Sequence, residues 1–156
     1  MSRKVLDRIS SEGLTLSVAE SCTGGKISAT ITSFPGSSSF FLGGIVAYNN
    51  DVKLDVLGIS RSALIEFGAV SEAVAMEMAE RSVVVFGSNL SVAVTGVAGP
   101  HGGTELKPVG MVFIAASDGD LTIVKEYRFE GDREDIRNAA VEAAFELLGE
   151  LLKNKI

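Results

Sequence analysis

The residues best equipped for chemistry are Glu20, Ser21, Cys22 and Thr23, crowded beside Gly24 and Gly25 in the string Ala-Glu-Ser-Cys-Thr-Gly-Gly from Ala19 to Gly25. An apolar, strand-like run, Leu14 to Val18, precedes them, and a helix-like run, Lys26 to Ile31, follows. Such a strand-to-helix turn points the first N–H groups of the helix at whatever lies over it, and the local dipole favours negative charge. A serine there can be a nucleophile whose developing oxyanion those N–H groups would meet. The same residue types also build an ordinary helix cap, with no chemistry implied.

A nucleophilic serine needs a base. The single histidine, His101, sits in a Pro-His-Gly-Gly loop with no carboxylate evidently placed to orient it, so a Ser-His-Asp triad is poorly supported against an exposed loop histidine. A lysine can serve instead if burial or a neighbouring cation lowers its pKa from about 10.4. Lys53 lies one helical turn beyond Tyr48 and close to a strand end, whereas Lys26 opens the helix after the turn. Spacing alone decides for neither. Cys22 reads as a small packed hydrophobe beside a buried strand. Gly24-Gly25-Lys26 is not a phosphate-binding P-loop, because Glu20 and Ile27 stand where that motif needs Gly and Ser or Thr. One His and one Cys, far apart, give no zinc-like ligand set. Arg133 and Arg137 are four apart on one helix face, in a first turn whose dipole disfavours cations. That mild cost fits anion binding with Thr95, Thr104 and glycine N–H groups, although pairing with Asp132 and Glu134 explains them equally well.

The elements that must position these groups follow from periodicity. Residues 2–12 read as a short helix ended by Gly13, residues 14–19 as the first strand and residues 24–32 as a helix stopped before Pro35. Phe40 to Tyr48 is an apolar run with a glycine pair, expected to be a buried strand. A helix opened by Asn49 carries Lys53, Leu54 and Leu57 and closes at Gly58, and Ser60 and Ser71 look like N-caps. The helix after Ser71 runs to about Phe86, and Leu90 to Thr95 is another buried strand that empties into a turn-rich loop, residues 96–108. Val109 to Ser117 and Leu121 to Phe129 form a hairpin about Asp118-Gly119. The last helix, starting near Asp132, buries a stripe of Ile136, Ala140, Ala144 and Leu148. Strands alternating with helices, plus one hairpin, predict a layered α/β fold with a mixed sheet.

The chain has 156 residues, 46% of them hydrophobic and 22% charged, which suits one globular domain spanning 1–156. A net charge of −6 argues against a nucleic-acid backbone binder. A lone cysteine, no apolar run of membrane-spanning length and no signal-peptide core lead to the expectation of a cytoplasmic protein.

In order along the chain stand Ala19 to Gly25, Phe34-Pro-Gly-Ser-Ser38, Gly43 to Tyr48 with Lys53 and Leu57-Gly58, and Gly68-Ala-Val-Ser71. Then come Val94-Thr-Gly-Val-Ala-Gly-Pro100, Gly102-Gly-Thr104, Lys107 to Gly110, and Phe129-Glu-Gly-Asp-Arg133 followed by Arg137. Across roughly residues 5 to 150 this pattern resembles the C-terminal domain of the competence/damage-inducible CinA proteins, which also occurs alone as nicotinamide-nucleotide amidohydrolase. The resemblance implies a three-layer α/β/α sandwich, usually homo-oligomeric and without metal or organic cofactor. It implies hydrolysis of the carboxamide of nicotinamide mononucleotide, with Ser21 as nucleophile, Lys53 as base and Tyr48 assisting. Lys26 falls at a variable position, which sets it behind Lys53. Thr23, Gly24, Gly25, Ser38, Thr95, Gly96, Arg133 and Arg137 would contact the substrate, a small nucleotide. His101 and Met111 depart from the pattern, His101 standing where acidic or small residues are common. The two-domain relatives carry an N-terminal domain that this chain is expected to lack. A non-catalytic nucleotide-binding module, or an amidase acting on another small amide, would use the same polar loops.

Overall fold

In a computed structural model, residues 2–154 are described; Met1, Lys155 and Ile156, the ends of the expected domain, lie outside them. Five strands make one sheet in the order β2-β1-β3-β4-β5. They are β1 (Leu16–Glu20), β2 (Phe41–Val46), β3 (Leu90–Gly96), β4 (Met111–Ser117) and β5 (Thr122–Arg128). β1 pairs in parallel with β2 and β3, while β3–β4 and β4–β5 are antiparallel, so the sheet is mixed as expected. Six α-helices accompany it: α1 (Ser2–Ser11), α2 (Lys26–Thr32), α3 (Asn50–Val52), α4 (Arg61–Phe67), α5 (Glu72–Phe86) and α6 (Arg133–Lys153).

The central strands are buried on both faces, and their alternating side chains divide between two cores. Leu16, Val18, Val92, Val94, Val112 and Ile114 point to the face covered by α1, α2 and α6. Ala19, Ala93, Phe113 and Ala115 point to the face covered by α5. This is the three-layer sandwich. The α6 stripe of Ile136, Ala140, Ala144 and Leu148 is buried, joined by Leu147 and Leu151. Ser60 and Ser71 do cap α4 and α5, accepting from the N–H groups of Ala63 and Val74.

One element departs from its expected setting. The Phe41–Val46 strand is not central but an edge, and its exposure alternates, leaving Leu42 and Val46 each 47% exposed. The reason is its place in the sheet: β2 is outermost and pairs only with β1.

Chain order reverses direction across the sheet between β1 and β3, so a crevice opens at their carboxyl ends, the usual ligand position in open α/β sheets. The turn after β1, the segment after β2, the loop of residues 97–110 and the start of α6 all meet there.

Candidate active site

Glu20 builds the turn. It ends β1 as a carboxylate only 1% exposed, and four donors satisfy it. Thr23 Oγ1 and the Ile27 N–H donate to Oε1 at 2.7 and 2.8 Å; the Ser28 N–H and Oγ donate to Oε2 at 3.0 and 2.8 Å. A carboxylate at the α2 N-terminus suits the helix dipole. It also corrects an expectation. The first-turn N–H groups of α2 are not open to an oxyanion or a phosphate, because Glu20 takes those of Ile27 and Ser28 and Thr23 O takes that of Lys26.

Gly24 and Gly25 have φ of +58° and +100°, which only glycine adopts readily, and they swing the chain from β1 into α2. The Ser21 N–H donates to Val94 O of β3 and the Gly24 N–H returns to Ser21 O. Among the described residues the N–H groups of Cys22 and Thr23 have no acceptor. These two, rather than the helix start, are the free donors beside Ser21.

Lys53 comes from the far side of β2. After α3, capped by Asn49, residues Lys53–Leu57 form a single π-helical turn that Gly58 ends at φ +86°. Isolated π turns of this kind often mark functional sites. Lys53 is 1% exposed. Its Nζ donates to Ser21 Oγ at 3.0 Å, Ala47 O at 2.7 Å and Tyr48 O at 3.2 Å. All three partners are uncharged oxygens. Burial therefore pushes the Lys53 pKa below the ordinary lysine value, with a smaller opposing influence from Cys22. Burial also raises the Cys22 thiol to about 11, aided by Glu20 and opposed by its own backbone, Arg137 and Lys53. Cys22 is thus a neutral thiol at physiological pH, and a poor nucleophile.

A cavity of about 280 Å³ opens over this pair. Ser21, Cys22, Tyr48, Asn50, Lys53, Thr95, Gly96, His101 and Arg133 are on its wall, with Val97, Ala98, Gly99 and Gly102 of the glycine-rich loop. The wall holds Lys53, Arg133 and His101 but no Asp or Glu, on a chain of net charge −6. Arg133 donates to Gly99 O at 2.6 Å and to the Tyr48 hydroxyl at 3.1 Å, tying the glycine-rich loop to the end of β2. Thr95 Oγ1 donates to Ala69 O at 2.8 Å. A second cavity of about 690 Å³ shares Ala98 and Arg133 with the first.

Several residues expected to contact the substrate do not line this cavity or already serve the fold. Ser38 is exposed in a one-turn 3-10 helix (Ser37–Ser39) before β2, at the opposite end of the sheet from Ser21. Thr23 is buried against Glu20, and Gly24 and Gly25 shape the turn without lining the cavity. Gly96 does line it, but a Cβ there would come within 2.7 Å of Val112, so sheet packing already requires glycine. Arg137 donates to the carbonyls of Cys22 and Thr23 and to Glu134. Lys26 pairs with Glu134 on the surface, outside the cavity. Asn50 escaped the sequence reading because it follows Asn49 at the opening of a helix, where a polar residue needs no further role. Among the described residues no three His, Cys, Asp or Glu side chains cluster as metal ligands.

With this geometry in hand, likeness to known proteins is decisive. The family described as CinA C-terminal domain matches residues 1–152. The chain belongs to that family. A putative competence-damage inducible protein of Clostridioides difficile (strain 630) is 50% identical over 140 residues, covering 90% of this chain and 33% of the relative. A CinA-like protein of Fervidobacterium nodosum is 48% identical over 134 residues, covering 86% and 33%. The chain thus spans about a third of the length of the curated relatives it matches. Solved structures match nearly end to end. The competence/damage inducible protein CihA from Agrobacterium tumefaciens superposes with TM-score 0.93 at 41% identity, covering 96% of this chain and 92% of that one. Competence damage-inducible protein A from Klebsiella pneumoniae gives 0.95 at 32%, covering 99% and 96%. In this CinA C-terminal domain no helix among the described residues is long and apolar enough to cross a membrane.

Proposed function

We propose that this CinA C-terminal domain hydrolyses the carboxamide of nicotinamide mononucleotide to nicotinic acid mononucleotide and ammonia. Ser21 is the nucleophile and Lys53 the general base. The observation that carries this reading is the buried Lys53 amine 3.0 Å from Ser21 Oγ, with no carboxylate among its hydrogen-bond partners.

The chemistry follows from those contacts. A neutral amine keeps two N–H bonds, which the Ala47 and Tyr48 carbonyls accept. Its lone pair then faces Ser21, whose O–H donates to it. As Ser21 Oγ attacks the carboxamide carbon, the proton passes to Lys53 and negative charge grows on the amide oxygen. The free Cys22 N–H, next to the nucleophile, is the donor suited to that oxygen. The Lys53 ammonium then returns a proton to the departing nitrogen, which leaves as ammonia. Water, deprotonated by the same amine, attacks the Ser21 ester; collapse frees the carboxylic acid, and Lys53 reprotonates Ser21. Arg133 and the glycine-rich loop, on a wall without carboxylates, suit the substrate phosphate.

Ammonia release from nicotinamide mononucleotide is the test. Wild type should turn over, and Ser21→Ala and Lys53→Ala should each lose about 10²–10⁴-fold or more. Full activity in either variant removes that residue from the mechanism. Binding of the mononucleotide by calorimetry, with no turnover between pH 6 and 10, would leave only a binding module. Turnover of other amides but not this one would move the substrate.

A further inference from the structure

Arg133 and Arg137 stand one turn apart on α6 and do different work. Arg133 faces the cavity, whereas Arg137 faces the nucleophile turn. Its Nε donates to Cys22 O at 3.2 Å, Nη2 to Thr23 O at 3.0 Å and Nη1 to Glu134 at 3.2 Å. The guanidinium lies close on the turn: a Cβ on Gly24 would be 3.4 Å from Nη2.

A trans peptide is planar, so holding its C=O on one side turns the following N–H to the other. Arg137 in this way sets two successive peptide planes, 22–23 and 23–24. The Gly24 N–H, donating to Ser21 O at 3.0 Å, sets the plane before them. Cys22 is held from both sides, and its N–H is left without an acceptor. We propose that Arg137 is a positioning residue, which fixes the turn so that the Cys22 N–H faces the oxygen that becomes negative. The assignment rests on the Ser21 acyl-transfer reading above. It replaces substrate contact as the role of Arg137. A planar fork can hold two adjacent carbonyls at once, which the single ammonium of lysine does not reproduce.

The experiment compares wild type, Arg137→Ala, Arg137→Lys and Ser21→Ala, with ammonia release measured from nicotinamide mononucleotide and from its phosphate-free riboside. Arg137→Ala should lose about 10²-fold in kcat on both substrates, the scale of losing one oxyanion donor, with KM nearly unchanged. Arg137→Lys should recover little, and millimolar guanidinium should partly restore Arg137→Ala. Arg137→Gln, which keeps one amide donor, serves if the alanine variant does not fold. A rise in KM confined to the phosphate-bearing substrate, with kcat intact, would make Arg137 a ligand contact and overturn the proposal. So would normal kinetics in every Arg137 variant. Absence of Ser21-dependent ammonia release from wild type would instead sink the acyl-transfer reading, and this inference with it.

Discussion

Lys26 and Lys53 make the most instructive contrast in the molecule. Lys26 is five residues from Ser21 and Lys53 thirty-two, yet only the distant one touches it. Lys26 extends across the surface to Glu134, whose carboxyl it holds below its ordinary range. Lys53 is folded under the end of β2 against two main-chain carbonyls and a hydroxyl. Burial without a counter-charge favours the neutral amine of Lys53, the form that can act as a base. Environment separates the two lysines, not residue type or nearness in the chain.

The largest expected difference is in turnover. Lys53→Arg keeps a positive charge that cannot be given up, and Lys53→Met keeps the bulk without the nitrogen. Both should cost about 10²–10⁴-fold in kcat/KM for nicotinamide mononucleotide, in protein shown to be folded by circular dichroism. Lys26→Met should stay within about twofold of wild type, because an exposed ion pair carries none of the chemistry. Comparable losses at the two positions would erase the contrast.

Next in size is the pH response. In the proposed mechanism Lys53 must be neutral to accept the Ser21 proton, and burial lowers its pKa from 10.5. Activity should therefore rise with pH along a limb centred below 10.5, unmoved in Lys26→Met. Stability carries the same sign. With the folded value depressed, the folded state binds fewer protons than the unfolded one as pH passes between the two values. Lys53 therefore contributes most above the unfolded value and loses that contribution as pH falls through the folded one. The difference in Tm between Lys53→Met and wild type should shift in favour of the variant as pH drops through that window. A pH-independent difference would mean that Lys53 titrates alike folded and unfolded.

The sequence made much of this legible. The α6 stripe, the Ser60 and Ser71 caps and the Asp118-Gly119 hairpin rest on local rules, and each appears where the periodicity put it. Residue types also marked the carboxyl ends of β1 and β3 as polar loops. What local reading cannot supply is direction. Glu20 stood only as one polar residue of the turn and is an internal cap, because its side chain reaches forward to the start of α2 instead of outward. Phe41–Val46 looked buried because composition does not reveal which strand lies at an edge. Ser38 matched a family segment, but β2 runs its length between Ser38 and the crevice.

Glu20 extends the comparison to carboxylates and gives a smaller, structural effect. Glu20→Gln would present an amide N–H₂ where two backbone N–H groups and two hydroxyls now donate. At least one buried donor loses its acceptor, at a cost of about 3 kcal/mol. Thermal unfolding should fall by roughly 5–10 °C, and activity should fall with it as the Ser21 turn loosens. An unchanged Tm would mean that the glycine turn holds itself without the carboxylate.

The smallest effect belongs to the other end of the contrast. Glu134 reaches both Lys26 and Arg137, yet its side chain is 56% exposed, and water screens such pairs strongly. Lys26→Met, Glu134→Gln and the double variant should each move Tm by roughly a degree or less. The two single shifts should sum to that of the double variant, since a solvated pair has little coupling to lose. A clear non-additive loss that faded in high salt would show that the Lys26–Glu134 pair is coupled despite its exposure. Glu134 and Arg137 would then link Lys26 to the Ser21 turn, and ammonia release by Lys26→Met would fall beyond twofold.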